Sequence, residues 1–374
     1  MAVEVWRKHK RRLGLGLVCV ALVAGSLAYV VTGSRLYTQY HNAFANYQLE
    51  SGACGAMVAW APPRAIYTGL YVNQPDPLSL RYRAASPQRL RITIGIPQLT
   101  QDQTYEVTGG EAFQSQTFKP PVISSAALDT LVSAGQREGQ IDLRVQGKGG
   151  GSALCQTSSP VTLYSRQWMH WFDSATGTDY SPYLAGWVTP HARAITDLIG
   201  RATQWLAQHP ASYPSTTSLA GYNATNDTND VINQVNAVFD TLQAEYHIHY
   251  AGDNALYSQD ASQIIKLPAD VLSSPYPTAM CVESTAIMAS AVEALGMRPY
   301  FVIVPGHAFL GVALGQDANA PFGYWETSYP QPGVTGAQAL LDGTNKYEAA
   351  QAKGQVLRVI DVEYERTQGI APIE

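Results

Sequence analysis

Three side chains that could do acyl-transfer chemistry follow one another in the second half of this sequence: Cys281, His307 and Glu326. A thiol at a helix N-terminus faces the positive end of the helix dipole, which favours the nucleophilic thiolate. A nearby imidazole could take its proton and later return it to a leaving group. A carboxylate beside that imidazole would hold the ring in place and stabilise the imidazolium. Each residue alone also has a plain structural use. A buried Cys opening a core helix is common and inert, a His in an apolar strand is usually a satisfied core residue, and Glu326 beside Trp325 could be an ion-paired strand residue. Taken together, the spacing, the Gly before the His and the acid after it favour a catalytic constellation.

The elements that must position these groups are legible around them. Val282, Ala286, Ala289, Val292 and Leu295 recur at helical spacing, and Gly296 ends the helix. Tyr300-Phe301-Val302-Ile303-Val304 reads as a buried strand, and Pro305-Gly306 turns the chain. His307, Phe309 and Gly311 then alternate with Ala308, Leu310 and Val312 on a second strand. Glu326 follows in Tyr324-Trp325-Glu326-Thr327.

The stretch CVESTAIMASAVEALGMRPYFVIVPGHAFLGVAL, followed by YWETS, resembles the core of the bacterial transglutaminase-like superfamily over roughly residues 230–330. That resemblance implies a papain-type α+β fold with a helix-borne Cys281, a strand-borne His307 and an acid, Glu326, on the next strand. The triad would act on an amide with no cofactor, and placement of the catalytic unit outside the membrane would make that a peptide or protein amide. The run Gln263-Ile264-Ile265-Lys266-Leu267-Pro268 is similar to what precedes the nucleophile in one subgroup. Gln263 could supply an oxyanion donor, as upstream Gln residues do in papain-like enzymes, or serve as a structural amide.

Four cysteines, Cys19, Cys54, Cys155 and Cys281, are consistent with this assignment. Cys19 falls in an apolar N-terminal segment. Cys54 and Cys155 flank a separate section and form the natural disulfide pair if that section lies outside the cytoplasm. Closing such a loop would contribute on the order of 4–5 kcal/mol. Cys281 is then left unpaired.

Arg7, Lys8, Lys10, Arg11 and Arg12 precede an uncharged, mostly apolar run of about nineteen residues, Leu13 to Val31, enough to cross a bilayer as a helix. The basic cluster should stay in the cytoplasm. The expectation is a single-pass signal anchor over 1–33 in the inner membrane, with the rest of the chain periplasmic. A cleaved signal peptide ending near Ser26-Leu27-Ala28 is the competing expectation.

The first twelve residues carry five basic groups and one acid, so against a total of −5 the remainder carries −9. No basic face stands out, which argues against a nucleic-acid partner. Residues 50–166 hold short alternating runs at Leu78–Arg83, Leu90–Ile96, Ala112–Phe118, Ile141–Val145 and Val161–Tyr164, the spacing of an all-β, Ig-like sandwich. A change of period follows. Val188, Ala192, Ile195, Ile199, Ala202 and Leu206 predict a helix starting at Thr189-Pro190. Val231, Val235, Val238, Phe239, Leu242 and Tyr246 predict a second from about Asp230, and Val356–Tyr364 a late strand. These place an α+β catalytic-type domain over 180–374. His247-Ile248-His249 would set two imidazoles on one strand face, but no third ligand follows at a recognisable spacing, so no metal is expected.

The sequence thus predicts an N-terminal transmembrane helix, an Ig-like β-sandwich and a transglutaminase-like α+β domain. The expected function is a membrane-anchored cysteine peptidase, amidase or transglutaminase-like acyltransferase. The alternative is a catalytically inactive scaffold within an envelope protein complex.

Overall fold

A computed structural model describes residues 48–49, 58–60 and 62–373, apart from 74–77, 98, 125–134, 148–151, 175–176, 224–226, 253–255, 259 and 329–332. The chain is mixed α+β and includes a sheet half-barrel. Its first half runs β1 (Gln48–Leu49), β2 (Val58–Trp60), β3 (Ala65–Tyr67), α1 (Thr68–Asn73), β4 (Leu78–Tyr82), β5 (Gln88–Gly95), β6 (Gln103–Gly109), β7 (Gln114–Phe118), β8 (Gln136–Gly147) and β9 (Cys155–Tyr164). Among the described residues these strands form two sheets, ordered β1-β2-β4-β7 and β3-β9-β8-β5-β6. Alternation explains the pairing. Leu78, Leu80 and Tyr82 of one sheet and Leu90, Ile92 and Ile94 of the other turn inward to one apolar core, while their neighbours face out.

Two expectations are corrected here. The section 50–166 is not all-β: β3, which pairs parallel with β9, runs directly into the helix α1. Among the described residues no helix is long and apolar enough to cross a membrane, in contrast to the expected transmembrane helix. The segment 1–33 that prompted it lies outside the described residues.

The second half begins with β10 (Trp168–His170), β11 (Phe172–Asp173) and β12 (Thr178–Asp179), followed by helices α2 (Arg193–Gln208) and α3 (Thr228–Thr241). The α2 helix starts later than Thr189-Pro190 suggests, because Thr189 gives its backbone N–H to Ser290 Oγ and the chain turns once more before Arg193. Asp227 caps α3 by accepting from Asn229 N–H. A π-helical turn, Leu242–Tyr246, ends with His247 at φ 50.

The chain continues through β13 (His249–Tyr250), β14 (Ser262–Ile264), α4 (Pro268–Leu272), β15 (Thr278–Ala279), α5 (Cys281–Ala294), β16 (Pro299–Val304), β17 (His307–Ala313), β18 (Phe322–Trp325), α6 (Gly336–Ala352), β19 (Arg358–Asp361) and α7 (Val362–Thr367). The sheet that carries the site is ordered β18-β17-β16-β19 and antiparallel throughout. Against it packs α5, buried on every side from Cys281 to Val292, at the centre of the larger hydrophobic core. The expected late strand is split: Asp361 accepts from Tyr364 N–H and starts α7 instead. The two halves touch through Leu70, which joins the larger core, and through Tyr67 Oη and Ser262 Oγ at 2.7 Å.

Candidate active site

Cys281 is the first residue of α5, and a buried glutamate fixes its position. Glu283 reaches back to accept Met280 N–H at 2.9 Å and, with its other oxygen, Lys266 N–H at 2.7 Å. Burial raises the Glu283 carboxyl, against the lowering effect of these two hydrogen bonds and the Lys266 ammonium. Glu283 therefore pins α5 to the strand-to-helix segment before α4. The first intrahelical bond is Ser284 N–H to Met280 O, so the amides of Cys281 and Val282 lie ahead of the helical ladder. One turn on, Thr285 Oγ1 donates to Cys281 O at 2.7 Å. Thr327, the residue after Glu326, meets that hydroxyl at 2.7 Å and Cys281 O at 3.3 Å. The acid's strand and the nucleophile's helix are thus stitched together through Thr285 and Thr327.

A two-residue turn sets His307. Pro305 supplies a fixed φ and Gly306 sits at φ +69, the order that a type II turn requires. Val304 and His307 close the β16–β17 hairpin as its last pair. Leu310 pairs with Trp325, so Glu326 follows the last paired residue of β18 on the neighbouring strand. His307 Nε2 lies 2.8 Å from Glu326 Oε2. Nε2 is held by the acid, and Cys281 is close enough to the ring to raise the imidazole together with Glu326. The three predicted residues are therefore brought into one relay.

The electrostatics follow from burial and partners. Burial opposes a charged His307, yet the hydrogen bonds to Cys281 and Glu326 and their charges outweigh it and raise the imidazole to about 9. Burial would likewise raise Glu326, but His307 foremost, then Lys346 and Ser328, hold it down at about 2. At neutral pH the site thus contains an imidazolium between a carboxylate and a sulfur.

Lys346 and Ser328 are the support that sequence patterns did not reveal. Lys346 Nζ pairs with Glu326 Oε2, and Ser328 gives both its N–H (2.7 Å) and its hydroxyl (2.5 Å) to Glu326 Oε1. Lys346 reaches the acid because α6 lies almost on the backbone of β18. A Cβ on Gly343 would stand 2.3 Å from Tyr324 O and 2.6 Å from Glu326 N, so only glycine permits that approach. A start signal for α6 was present in Thr335-x-x-Gln338, whose hydroxyl accepts Gln338 N–H at 3.2 Å. Tyr250 was also missed: it is 47 % exposed, and burial first and then the neighbouring Cys281 raise its phenol.

The remaining candidates fall as follows. Gln263 is buried in β14, accepts Trp171 Nε1–H at 3.2 Å and donates to Met280 Sδ at 3.4 Å. Its amide therefore sits beside the residue that precedes the nucleophile. His247 and His249 do not share a strand face, because the left-handed turn at His247 comes before β13 begins. Among the described residues no group of three His, Cys, Asp or Glu could hold a metal ion. Cys155 is disulfide-bonded and Cys281 is free; Cys54, its expected partner, lies outside the described residues. No protein-family model, curated protein or solved structure matches this chain.

Proposed function

We propose that the protein is a cysteine acyl-transfer enzyme of transglutaminase-like type, a peptidase, amidase or transamidase, acting on a peptide or protein amide. The observation that carries this is the relay from Cys281 through His307 to a Glu326 that is itself held by Lys346 and Ser328. The sulfur attacks the amide carbonyl carbon, and the carbonyl oxygen takes up the negative charge. The amides of Cys281 and Val282, at the positive end of α5, are placed to receive it. Collapse of that intermediate breaks the C–N bond. His307 gives its proton to the departing amine and leaves a thioester on Cys281. Neutral His307 then takes a proton from water or from an acceptor amine, whose attack on the thioester frees the thiolate.

A disulfide-bonded Cys155 supports an oxidising, extracytoplasmic compartment, where envelope proteins and wall peptides are the amides at hand. The test is to offer these two classes to the purified chain and to Cys281→Ala, following amine release and acyl-enzyme mass. Turnover by the wild type alone supports the assignment, and equal turnover by both rejects it. One observation favours a second reading, a silent scaffold that binds an envelope partner: Cys281 exposes only 4 % of its surface. That reading expects retention of intact partners by Cys281→Ala as well as by the wild type, with no thioester.

A further inference from the structure

The short strand β13 brings an unpaired backbone edge to the candidate nucleophile. Among the described residues it pairs only with β15, in parallel, with His249 opposite Thr278 and Tyr250 opposite Ala279. His249 N–H donates to Pro277 O and Ala251 N–H to Ala279 O, each at 2.9 Å. Alternate residues of a strand bond to the same neighbour. The N–H and C=O of Tyr250 therefore point to the opposite edge, where they have no partner among the described residues. That edge is open, since His249, Tyr250 and Ala251 are all exposed. It is also next to the chemistry: Tyr250 stands opposite Ala279, and β15 leads through Met280 directly into Cys281. Beside His249 lies a groove of about 420 Å³ whose lining mixes Arg201, Glu245, His247 and His249 with Tyr246 and Tyr276.

An unpaired donor and acceptor on one exposed strand residue suit a single kind of ligand, another strand. We propose that the outer edge of β13 docks the main chain of an extended acyl-donor peptide, one residue of which exchanges both backbone hydrogen bonds with Tyr250. The peptide would continue past Cys281, which sets the scissile amide against the sulfur, and the groove would take a side chain of the residues beside the paired one. This deepens the acyl-transfer assignment and rests on it. Substrate choice at the edge then depends on main-chain shape more than on side-chain identity, so branched or cyclic amides without an extended segment are poor donors.

The test alkylates Cys281 in the full chain with two kinds of reagent: iodoacetamide, which needs no docking, and acetyl-trialanyl chloromethyl ketone, which does. Analogues of the latter carry an N-methyl group on one backbone nitrogen at a time. One analogue is expected to react about tenfold more slowly than the parent, the loss of one hydrogen bond. Tyr250→Pro removes the other bond and should lower the ratio of peptidyl to iodoacetamide rates about tenfold. Should Tyr250→Pro fail to fold, the N-methyl series on the wild type decides alone. Equal rates across that series overturn the docking edge and leave the nucleophile intact. No alkylation of Cys281 by iodoacetamide would overturn the nucleophile, and the edge with it.

Discussion

The two halves of the chain use the same means of folding and differ in what they bury. In the half built on β2 to β9, the core is almost wholly apolar, with Thr68, Thr100 and Ser159 the buried polar residues described there. In the half built on α2 to α7, Asp230, Gln234, Asn236, Gln263, Glu283, Ser284, Thr285, Glu326 and Thr327 are all buried, several of them around the start of α5. Burying a charge is costly unless partners compensate it. Here the partners are present: Glu283 has two backbone N–H groups, and Glu326 has an imidazole, an ammonium and a hydroxyl. The first half buries few polar groups, whereas the second buries many, and two of them, Glu283 and Glu326, stand where the predicted Cys, His and Glu meet.

Mutation can break that contrast from either side. The largest effect is expected from Cys281→Ala, which should remove amide turnover by at least about 10³-fold with the unfolding midpoint nearly unchanged. Its counterpart, Ile92→Ala, deletes a fully buried side chain of the other core. It should cost about 2–5 kcal/mol in urea unfolding and leave the activity per folded molecule as it was. If Ile92→Ala altered the rate per folded molecule, the division of labour would fail. Next comes Glu326→Ala, which strands the His307 imidazolium and should cost about 3–5 kcal/mol. An NMR titration of the imidazole in this variant should show its midpoint falling from about 9 toward and below the free value of 6.5, because burial is then less opposed.

Changing the pH probes the same pair without mutation. His307 is raised, so its stabilising contribution is complete below 6.5 and is lost as pH rises through about 9. Glu326 is lowered, so its contribution is complete above 4.5 and is lost as pH falls through about 2. Urea midpoints should therefore show the full benefit of the pair between pH 4.5 and 6.5, and Glu326→Gln should reduce both limbs. Unchanged limbs in that variant would place the pH dependence elsewhere. The smallest effect is expected from Ser328→Ala. It removes one half-buried hydroxyl from Glu326 and should cost about 1 kcal/mol, with a slight fall in the imidazole midpoint.

The parts of the site that could be read in advance are those with strong local grammar. Helical spacing after Cys281, the stop at Gly296 (φ +75) and the Pro305-Gly306 turn mark α5, β16 and β17 to within a residue or two. Lys346 had no such mark. α6 buries only Gly336, Ala339, Gly343 and Ala350, so its inward face consists of small residues and carries little hydrophobic period. Tyr250 and Glu283 act through reach across the fold, and periodicity holds no information on that. The edge of β13 was hidden for a further reason: a two-residue strand has no pattern to detect. In the first half, alternation exposed the strand faces but said nothing of the parallel pairing of β3 with β9, because side-chain period is the same in either direction.

The most direct measurement of the central claim is the rate at which iodoacetamide modifies Cys281 at pH 6, located by peptide mass mapping, in the wild type and in His307→Ala. Activation of the sulfur by His307 predicts that the wild type reacts about a hundredfold faster. Equal rates in the two proteins would show that the imidazole does not act on the thiol, and the Cys281–His307–Glu326 relay would then be a structural arrangement without chemistry.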